Sequence, residues 1–228
     1  MPAPYFIFEG CDGTGKTTTM HAVADRLRQK MPQFDPVLTH HPGSTPLGRY
    51  LRQLVKYPTK TDPEMTIDDL SRQVLYMVDT ISYVRTVLEP NLAAGRAVMA
   101  DRSSFISAIV YGLADGLDMR DVTRILELIT PPKADRLYIL QCPTDLGRER
   151  IKSTRGELDH YDQKSLEFAE KVSKIYAGLI TTSAQQTVLV SRSVSIDNVM
   201  YVDASRPLDQ VVDFIVADAT SVIEDRYS

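Results

Sequence analysis

The chain of 228 residues is long enough for one domain with a substantial core. Its hydrophobic content of 43% and charged content of 25% are ordinary for a soluble globular protein, and no apolar run approaches the roughly 20 residues of a membrane span. The net charge of −4 argues against a protein that follows a nucleic-acid backbone by bulk electrostatics, while it is compatible with a small anion in a local basic pocket.

The two cysteines and the beginning of the chain bear on where the protein works. Cys11 and Cys142 fall in or beside predicted parallel strands, where reduced thiols are favoured over a disulfide. The residues before the first predicted strand lack the basic and apolar regions of a secretion signal. We therefore expect reduced thiols, a cytoplasmic location and no membrane partner.

The N-terminal region contains a phosphate-binding loop pattern. Gly10, Gly15, Lys16 and Thr17 fit the spacing Gly-x4-Gly-Lys-Ser/Thr. Glycines let the backbone wrap with its N–H groups inward, the lysine reaches the β- and γ-phosphates, and the threonine hydroxyl can ligate Mg²⁺. An apolar run before the loop and a helical pattern after it supply the strand and the helix that the motif requires. The alternative is a glycine-rich turn without a ligand, and we predict that the segment binds a nucleotide phosphate chain.

Short apolar runs alternate with helical patterns along the rest of the chain. The polar stretch 181–198 is interpreted as a surface connection with one short strand. The alternation predicts an α/β fold in a single domain over 1–228, with a parallel sheet covered by helices on both faces. We predict strands at 36–40, 97–100, 137–141 and 200–203, helices at 15–30, 67–93, 104–114, 120–129, 144–153 and 208–223, a helix beginning near Pro46, and a long helix carrying Phe168, Val172, Ile175 and Leu179.

Polar groups follow three of the predicted strands and should converge on one crevice, because ligands bind at the carboxyl ends of parallel strands. They are the phosphate loop, His40-His41 and Asp101-Arg102. Asp101 can hold Mg²⁺, and Arg102 offers a planar fork for a phosphate. The alternative for this pair is a structural ion pair that caps the next helix. Two adjacent histidines without a third ligand are weak evidence for a metal, so a loop role is favoured.

A basic segment at 147–156 is a candidate lid. At helical spacing Arg148, Lys152 and Arg155 share one face. Closing such a face over the phosphates would stabilise the charge of a transition state and exclude water, which would otherwise hydrolyse the nucleotide. The alternative is a solvated helix face that Glu149 and Glu157 partly compensate.

Aromatic residues at helical spacing occur on two helices. Phe168, Val172 and Tyr176 form a stripe that predicts core packing. Base stacking and packing both stay open for Tyr76 on the long middle helix. The sequence contains no Ser-His-Asp arrangement, Cys/His metal cluster or dinucleotide fingerprint. The residues by themselves therefore indicate an ATP-dependent enzyme or switch with a second anion site.

Several motifs together resemble the thymidylate kinase family over nearly the whole chain. Residues 8–18 are similar to its Phe/Leu-Glu-Gly-x-Asp-Gly-x-Gly-Lys-Thr-Thr loop, and 42–48 to its Arg-Glu-Pro-Gly-Gly-Thr-Pro-x-Gly loop. Residues 89–95 and then Asp101-Arg102 match its x-Pro-Ala-Leu-x-x-Gly and Asp-Arg landmarks. Residues 155–160 resemble its lid sequence Arg-Gly-Glu-x-Asp-Arg, and 203–208 its C-terminal nucleotide loop.

The resemblance implies a P-loop kinase fold with a five-stranded parallel sheet and a helical lid at about 145–162. It implies transfer of the γ-phosphoryl of ATP to a 5′-monophosphate, with Mg²⁺. Family members are usually homodimers through helix packing, and we expect the same here. Gly13 occupies the place where one subgroup carries a catalytic arginine, so this chain is expected to take its catalytic cations from the lid, with Arg150, Lys152 and Arg155 as candidates.

The resemblance also implies roles for single residues. Asp12 would face the acceptor sugar or the metal, and Arg102 the acceptor phosphate. Lys16 and Arg102 join the lid cations as catalytic candidates, while Thr17 and Asp101 are the metal candidates. The expected ATP site consists of Gly10, Asp12, Gly13, Thr14, Gly15, Lys16, Thr17, Thr18 and Arg148, and the expected acceptor site of Asp12, Pro42, Tyr76, Thr80, Arg102, Ser107 and Tyr111.

The departures from the family pattern cluster at the acceptor. The arginine that opens the family's Arg-Glu-Pro loop is replaced, with His40-His41 before Pro42. The family's Phe-x-x-x-Arg becomes Tyr76-x-x-x-Thr80, and the segment after Asp101-Arg102 lacks the amide that reads the thymine edge. A buried polar edge left unpaired costs roughly 1–3 kcal/mol, so we expect these changes to alter the base preference.

The resulting hypothesis is a deoxynucleoside monophosphate kinase that acts on dTMP or a 5-substituted pyrimidine relative. One alternative is phosphorylation of another acceptor, such as a modified nucleotide or a base within DNA, and the acidic balance weighs against the polymer. The other alternative is a nucleotide-binding regulatory module that has lost transfer.

Overall fold

The computed structural model describes residues 3–154, 160–161 and 164–227, and within these ranges the strands form one parallel sheet. The spatial order of the strands is β2-β3-β1-β4-β5. This arrangement confirms the α/β expectation, including the five-stranded sheet. The strands are β1 (Tyr5–Gly10), β2 (Val37–His40), β3 (Val98–Asp101), β4 (Arg136–Gln141) and β5 (Val199–Asp203).

The helices lie between the strands in sequence and cover both faces of the sheet. Among the described residues, no helix is long and apolar enough to cross a membrane. The helices are α1 (Lys16–Lys30), α2 (Pro46–Lys56), α3 (Pro58–Thr61), α4 (Asp69–Tyr83), α5 (Glu89–Ala93), α6 (Ser104–Ala114), α7 (Met119–Leu126), α8 (Thr144–Thr154), α9 (Leu166–Ala177), α10 (Ala184–Ser191) and α11 (Leu208–Tyr227).

The register of the sheet brings the polar strand ends to one edge. Phe8 on the central strand β1 lies opposite Asp101 on β3, and Asp101 also lies opposite His40 on β2. The loop after β1 therefore opens beside Asp101 and His40. This juxtaposition is the convergence that the sequence predicted.

Two apolar clusters hold the sheet, one on each face. Because successive side chains of a strand point to opposite faces, Ile7 joins the cluster under α4, α6 and α9, while Phe6 and Phe8 join the cluster under α1 and α11. All three of these side chains are fully buried. The central strand is buried on both faces, as an apolar run in a parallel sheet requires.

The long helix predicted over 67–93 is divided by a short π-helix over Val84–Leu88, which joins α4 to α5. Pro90 lies just beyond this segment, and its missing N–H cannot donate to the carbonyl one turn earlier. The wider turns over Val84–Leu88 coincide with this defect in the hydrogen-bond ladder.

The strand predicted within 181–198 is wrong, because α10 occupies that stretch. Ser183 caps the helix by accepting from the Gln186 N–H over 3.2 Å. The helix buries Leu189 and Val190, so a good cap and a buried side outweigh the strand preference of its valines. Only an isolated parallel bridge between Ala134 and Val194 remains there within the described residues.

Candidate active site

The glycine loop between β1 and α1 is wrapped as a phosphate nest. Gly13 and Gly15 have φ of 80° and 84°, a region that side chains disfavour, and Gly15 is the N-cap of α1. Lys16 Nζ donates to the carbonyl of Cys11 over 2.7 Å and lies 3.8 Å from Asp12 Oδ1. Burial lowers the pKa of Lys16. The free N–H groups of the first turn of α1 and the lysine head thus define an anion site.

Gly13 and Gly147 bring the loop and α8 into close contact. A Cβ on Gly13 would stand 2.0 Å from the carbonyl oxygen of Gly147, so any side chain there would force the helix away. Gly147 itself faces the carbonyl of Asp12. The helix that carries the predicted lid cations therefore packs directly on the phosphate loop.

Both cysteines are free thiols, as predicted. Burial raises the pKa of Cys11 to about 11, with Lys16 opposing the shift. Burial also raises the pKa of Cys142. Both side chains are therefore protonated at neutral pH, and neither is an activated nucleophile.

Thr17 and Asp101 form a pair of hard oxygen groups at the mouth of the loop. The Thr17 hydroxyl donates to Asp101 Oδ2 in a short hydrogen bond. A hydroxyl and one carboxylate beside a phosphate site are the protein ligands that Mg²⁺ takes when substrate phosphates complete its coordination. The two metal candidates therefore fit the ion. No group of three or more His, Cys, Asp or Glu ligands occurs in the described residues.

Arg102 lies at the centre of the crevice in a strained backbone conformation. Its φ of 75° is unique among the non-glycine residues that the structure describes. Its guanidinium donates to Asp12 Oδ1 over 2.5 Å and to Glu9 Oε2 over 3.3 Å. It also donates to the hydroxyls of Tyr176 and Tyr111 over 3.1 and 3.2 Å. The fork is thus held in place before any ligand arrives.

Glu9 anchors this network from beneath and was not identified from the sequence. Its carboxylate is fully buried and accepts from the Ser103 N–H, the Ser107 hydroxyl and the Tyr176 hydroxyl over 2.8, 2.9 and 2.7 Å. Burial, and then the charge of Glu9, raise the pKa of Tyr176. The helical stripe correctly predicted that Val172 and Tyr176 are buried. The hydroxyl of Tyr176, at the end of that stripe, was the sequence feature that indicated a polar role.

A second pocket adjoins the crevice of the phosphate loop. Asp12, His41, Lys56 and Arg102 line both spaces, so the loop and the pocket are contiguous. Three tyrosines give the pocket aromatic walls. The residues that line the second pocket and not the crevice are Pro42, Gln73, Tyr76, Ser107, Ala108, Tyr111 and Tyr161.

The structure brings most of the predicted acceptor residues together here. Pro42, Tyr76, Ser107 and Tyr111 line the pocket as expected. Thr80 does not line it, and its hydroxyl donates to the carbonyl of Tyr76 one turn back.

Two groups of pocket residues were not found from the sequence. Lys56 lies four residues after Arg52 on α2, and both line the crevice of the phosphate loop. Their i, i+4 spacing on a predicted helix was a readable signal. Gln73 had no signal beyond its position three residues before Tyr76.

The loop between β2 and α2 is fastened to α4. The fully buried carboxylate of Asp79 accepts from the Gly43 N–H over 3.2 Å and lies 3.3 Å from His41 Nδ1. The His41 ring meets the Tyr83 ring edge-on, with centroids 3.9 Å apart. These contacts give His41 a structural role in the loop that positions Pro42.

The lid cations separate into two groups. Arg150 lines the crevice and donates to the carbonyl of Ala204 over 3.1 Å. Arg148 and Lys152 line a neighbouring pocket between α8 and α9, and Arg148 donates to the carbonyl of Lys164. Arg155 lies outside the described residues. Of the predicted lid cations within the described ranges, Arg150 is the one that lines the crevice with Lys16 and Asp101, whereas the pocket of Arg148 and Lys152 borders the loop at Asp12 and Thr14.

Taken with the parallel sheet, these two adjoining anion sites define a P-loop phosphotransferase. The family model for thymidylate kinase matches residues 8–215. A thymidylate kinase of Legionella pneumophila strain Corby is 30% identical, over 96% of this chain and 93% of its own length. A thymidylate kinase of Thermosynechococcus vestitus is 31% identical, over 92% of this chain and 84% of its own length.

The chain therefore belongs to the thymidylate kinase family, whose members are ATP-dependent nucleoside monophosphate kinases. The resemblance seen in the sequence motifs is confirmed. Within the described residues, four side chains belong to both pockets. The two pockets are therefore contiguous, as phosphoryl transfer between their ligands requires.

Proposed function

We propose that the protein transfers the γ-phosphoryl group of ATP to the 5′-phosphate of dTMP, giving dTDP and ADP. The observation that carries this proposal is the continuity of the two pockets through Asp12 and Arg102. An acceptor whose phosphate lies on Arg102 would point its base into the tyrosine-lined pocket and its phosphate oxygen toward the loop. A 5-substituted pyrimidine deoxynucleotide would fit the same description.

The donor half of the reaction uses the loop and its flanking residues. The N–H groups of Gly13 to Thr18 cradle the β- and γ-phosphates, and Lys16 leaves the Cys11 carbonyl to contact them. Thr17 and Asp101 would hold Mg²⁺, which supplies charge neutralisation on the phosphates when bound. Arg150 lies on the side of the crevice next to Ala204, where it can neutralise negative charge on the donor.

The acceptor half depends on Arg102. Its planar fork suits a phosphate held through two oxygens. A nonbridging oxygen of the acceptor phosphate attacks the γ-phosphorus, the bond to the oxygen that bridges the β- and γ-phosphorus atoms breaks, and ADP leaves with that electron pair. Asp12 lies between Lys16 and Arg102, at 3.8 and 2.5 Å. It therefore keeps both cations aligned on the line of transfer.

Exclusion of water falls to α8 and the segment that follows it. The contact between Gly13 and Gly147 keeps α8 on the loop. His160 donates its N–H to the carbonyl of Lys56 over 3.0 Å, which ties the C-terminal part of the lid to α2. Lys152 and Arg155 are the further lid cations that we propose for transition-state stabilisation.

We also propose that the protein works as a cytoplasmic homodimer. A strip of exposed apolar side chains on α2 and α4, here named the α2–α4 face, is defined by Leu47, Tyr50, Leu70, Val74 and Val78. On α4 these residues recur every four positions, so they share one side of the helix. An apolar patch of this kind marks an interaction surface, and a second copy supplies a matching one.

The test of the phosphotransferase proposal is an ADP-release assay with every common nucleoside monophosphate, using wild type, Lys16→Ala and Lys133→Ala. We expect turnover with dTMP in wild type and in Lys133→Ala, whose side chain is exposed on the surface. Lys16→Ala should lose at least 100-fold in rate, because the charge on the transferring group is no longer neutralised.

The outcomes separate the alternatives. Turnover with a different monophosphate alone would replace dTMP as the acceptor. ATP binding without turnover on any acceptor, in protein with a normal circular dichroism spectrum, would favour a regulatory module. Undiminished activity in Lys16→Ala would contradict the assigned phosphate site.

A further inference from the structure

Gln73 carries a buried amide that has no hydrogen-bond partner in the described residues. It lies on the first half of α4 with 2% of its surface exposed, and both Nε2 and Oε1 are unpaired. Buried side-chain amides nearly always have hydrogen-bond partners in the protein. Burial removes their hydrogen bonds to water, and leaving the amide unpaired costs free energy. A donor and an acceptor left unpaired together therefore point to a ligand that satisfies them.

The amide lies in the wall of the tyrosine-lined pocket. Several of the other polar groups there are already engaged within the protein. The Ser107 hydroxyl donates to Glu9 over 2.9 Å, and Arg102 is held by the carboxylates of Asp12 and Glu9. Among the pocket-lining residues that the structure describes, Gln73 alone offers both an unpaired donor and an unpaired acceptor.

The lining of the pocket favours a flat ring as the ligand group. Tyr76, Tyr111 and Tyr161 are aromatic walls, and Ala108 adds a small apolar surface. Aromatic walls favour planar rings. A ring that also presents a donor next to an acceptor along one edge is a nucleobase.

We propose that Gln73 reads the pairing edge of the acceptor pyrimidine. In a bound thymine, Oε1 accepts from N3–H and Nε2 donates to O4. This inference rests on the proposed function, because it requires the acceptor base to occupy this pocket. Helix α6 presents Ser107 and Ala108 to the pocket, neither of which has an amide. The amide that identifies the base thus comes from α4.

The experiment compares dTMP with N3-methyl-dTMP, which lacks the N3–H donor, on wild type, Gln73→Leu and Gln186→Leu. Gln186 is also buried and also has an unpaired amide nitrogen, but it lies on α10. We expect kcat/KM of wild type to be about 10- to 100-fold lower with the methylated substrate. Gln73→Leu should lower kcat/KM for dTMP by a similar factor and bring the ratio between the two substrates to within about threefold. Gln186→Leu should keep the wild-type ratio.

Thermal melting separates base reading from a structural role. Gln73→Leu removes an unpaired buried amide, so its Tm without ligand should equal or exceed that of wild type. A lowered Tm with an unchanged substrate ratio would overturn the inference. An unchanged kcat/KM for dTMP in Gln73→Leu would also overturn it while leaving the proposed function intact. A wild-type protein with no dTMP turnover would overturn the proposed function and this inference together.

Discussion

At the scale of single residues, Arg102 shows how the site is prepared in advance. A non-glycine residue at φ 75° costs on the order of 1 kcal/mol, and the surrounding contacts must hold it there. Two carboxylates and two tyrosine hydroxyls do so, from four separate elements. The guanidinium is therefore positioned for a phosphate without reorganisation at the moment of binding.

Tyr176→Phe tests this positioning. The change removes a hydroxyl that accepts from Arg102 and donates to Glu9. We expect a loss of about 1–2 kcal/mol in acceptor binding, or roughly 5- to 30-fold in KM for dTMP, with KM for ATP changed less than twofold. Steady-state kinetics with each substrate varied in turn measures both constants.

The control for this variant is Tyr201→Phe, since Tyr201 lies on β5 with its side chain partly exposed. Tyr176 acts through Arg102 as a positioning residue. Equal increases in both KM values would indicate general damage to the fold and would contradict a selective role at the acceptor phosphate.

Residues of this kind also limit what a sequence can reveal. Lys16 and Thr17 were found because their spacing is local and fixed by the phosphate chain. Glu9 was not assigned to the site, because its partners are brought near only by packing, and Gln73 was not, because the pocket that it lines exists only in the folded chain. Glu9 meets the hydroxyl of Tyr176 across 167 positions of the chain.

At the scale of elements, the loop between β2 and α2 depends on α4. The Asp79 carboxylate is fully buried and satisfies the N–H of Gly43. The same loop carries Pro42 into the wall of the acceptor pocket. A change at Asp79 therefore reaches the substrate through the loop, since Asp79 does not itself line the pocket.

We expect Asp79→Ala to lower the free energy of unfolding by about 1–3 kcal/mol, because the Gly43 N–H loses its acceptor in a buried setting. Urea denaturation measures the difference. The matched control is Asp213→Ala, which removes an exposed ion pair with Arg26 and should cost under about 1 kcal/mol. Equal losses in the two variants would contradict the role of Asp79 as the fastening of this loop.

The elements themselves were largely predictable. The helix predicted at 104–114 matches α6 at both ends, because apolar periodicity and a following turn are local signals. The strand expected within 181–198 was wrong, because the cap at Ser183 and the burial of one side of the segment favour a helix there. The α4–α5 helix was predicted without its π-helix, which lies just before Pro90 and the hydrogen bond that this residue cannot make.

At the scale of the whole molecule, the α2–α4 face departs from an ordinary surface among the described residues. Tyr50 is 78% exposed, and three apolar side chains of α4 are between 40% and 42% exposed. Exposed apolar side chains grouped in this way are unfavourable in water unless a partner surface covers them. Val74 belongs to this face and is the direct neighbour of Gln73, so a dimer would place its interface immediately behind the acceptor pocket.

We expect wild type to elute with twice the mass of one chain in size-exclusion chromatography with light scattering, and Val78→Glu to elute as a monomer. Two facing carboxylates in an apolar interface would repel each other and lose hydration. Val188→Glu is the control, because Val188 is 62% exposed on α10. A monomeric wild type at micromolar concentration, or a dimeric Val78→Glu, would contradict this assembly.

The close packing of Gly13 against Gly147 has a consequence for how such enzymes can diverge. A catalytic cation on the loop would need a side chain where the oxygen of Gly147 now stands 2.0 Å from the Cβ position. The helix would have to retreat first, and its retreat would withdraw Arg150 from the crevice. A replacement of Gly13 by a cationic residue should therefore exchange one cation for the other and not add a second to the same crevice.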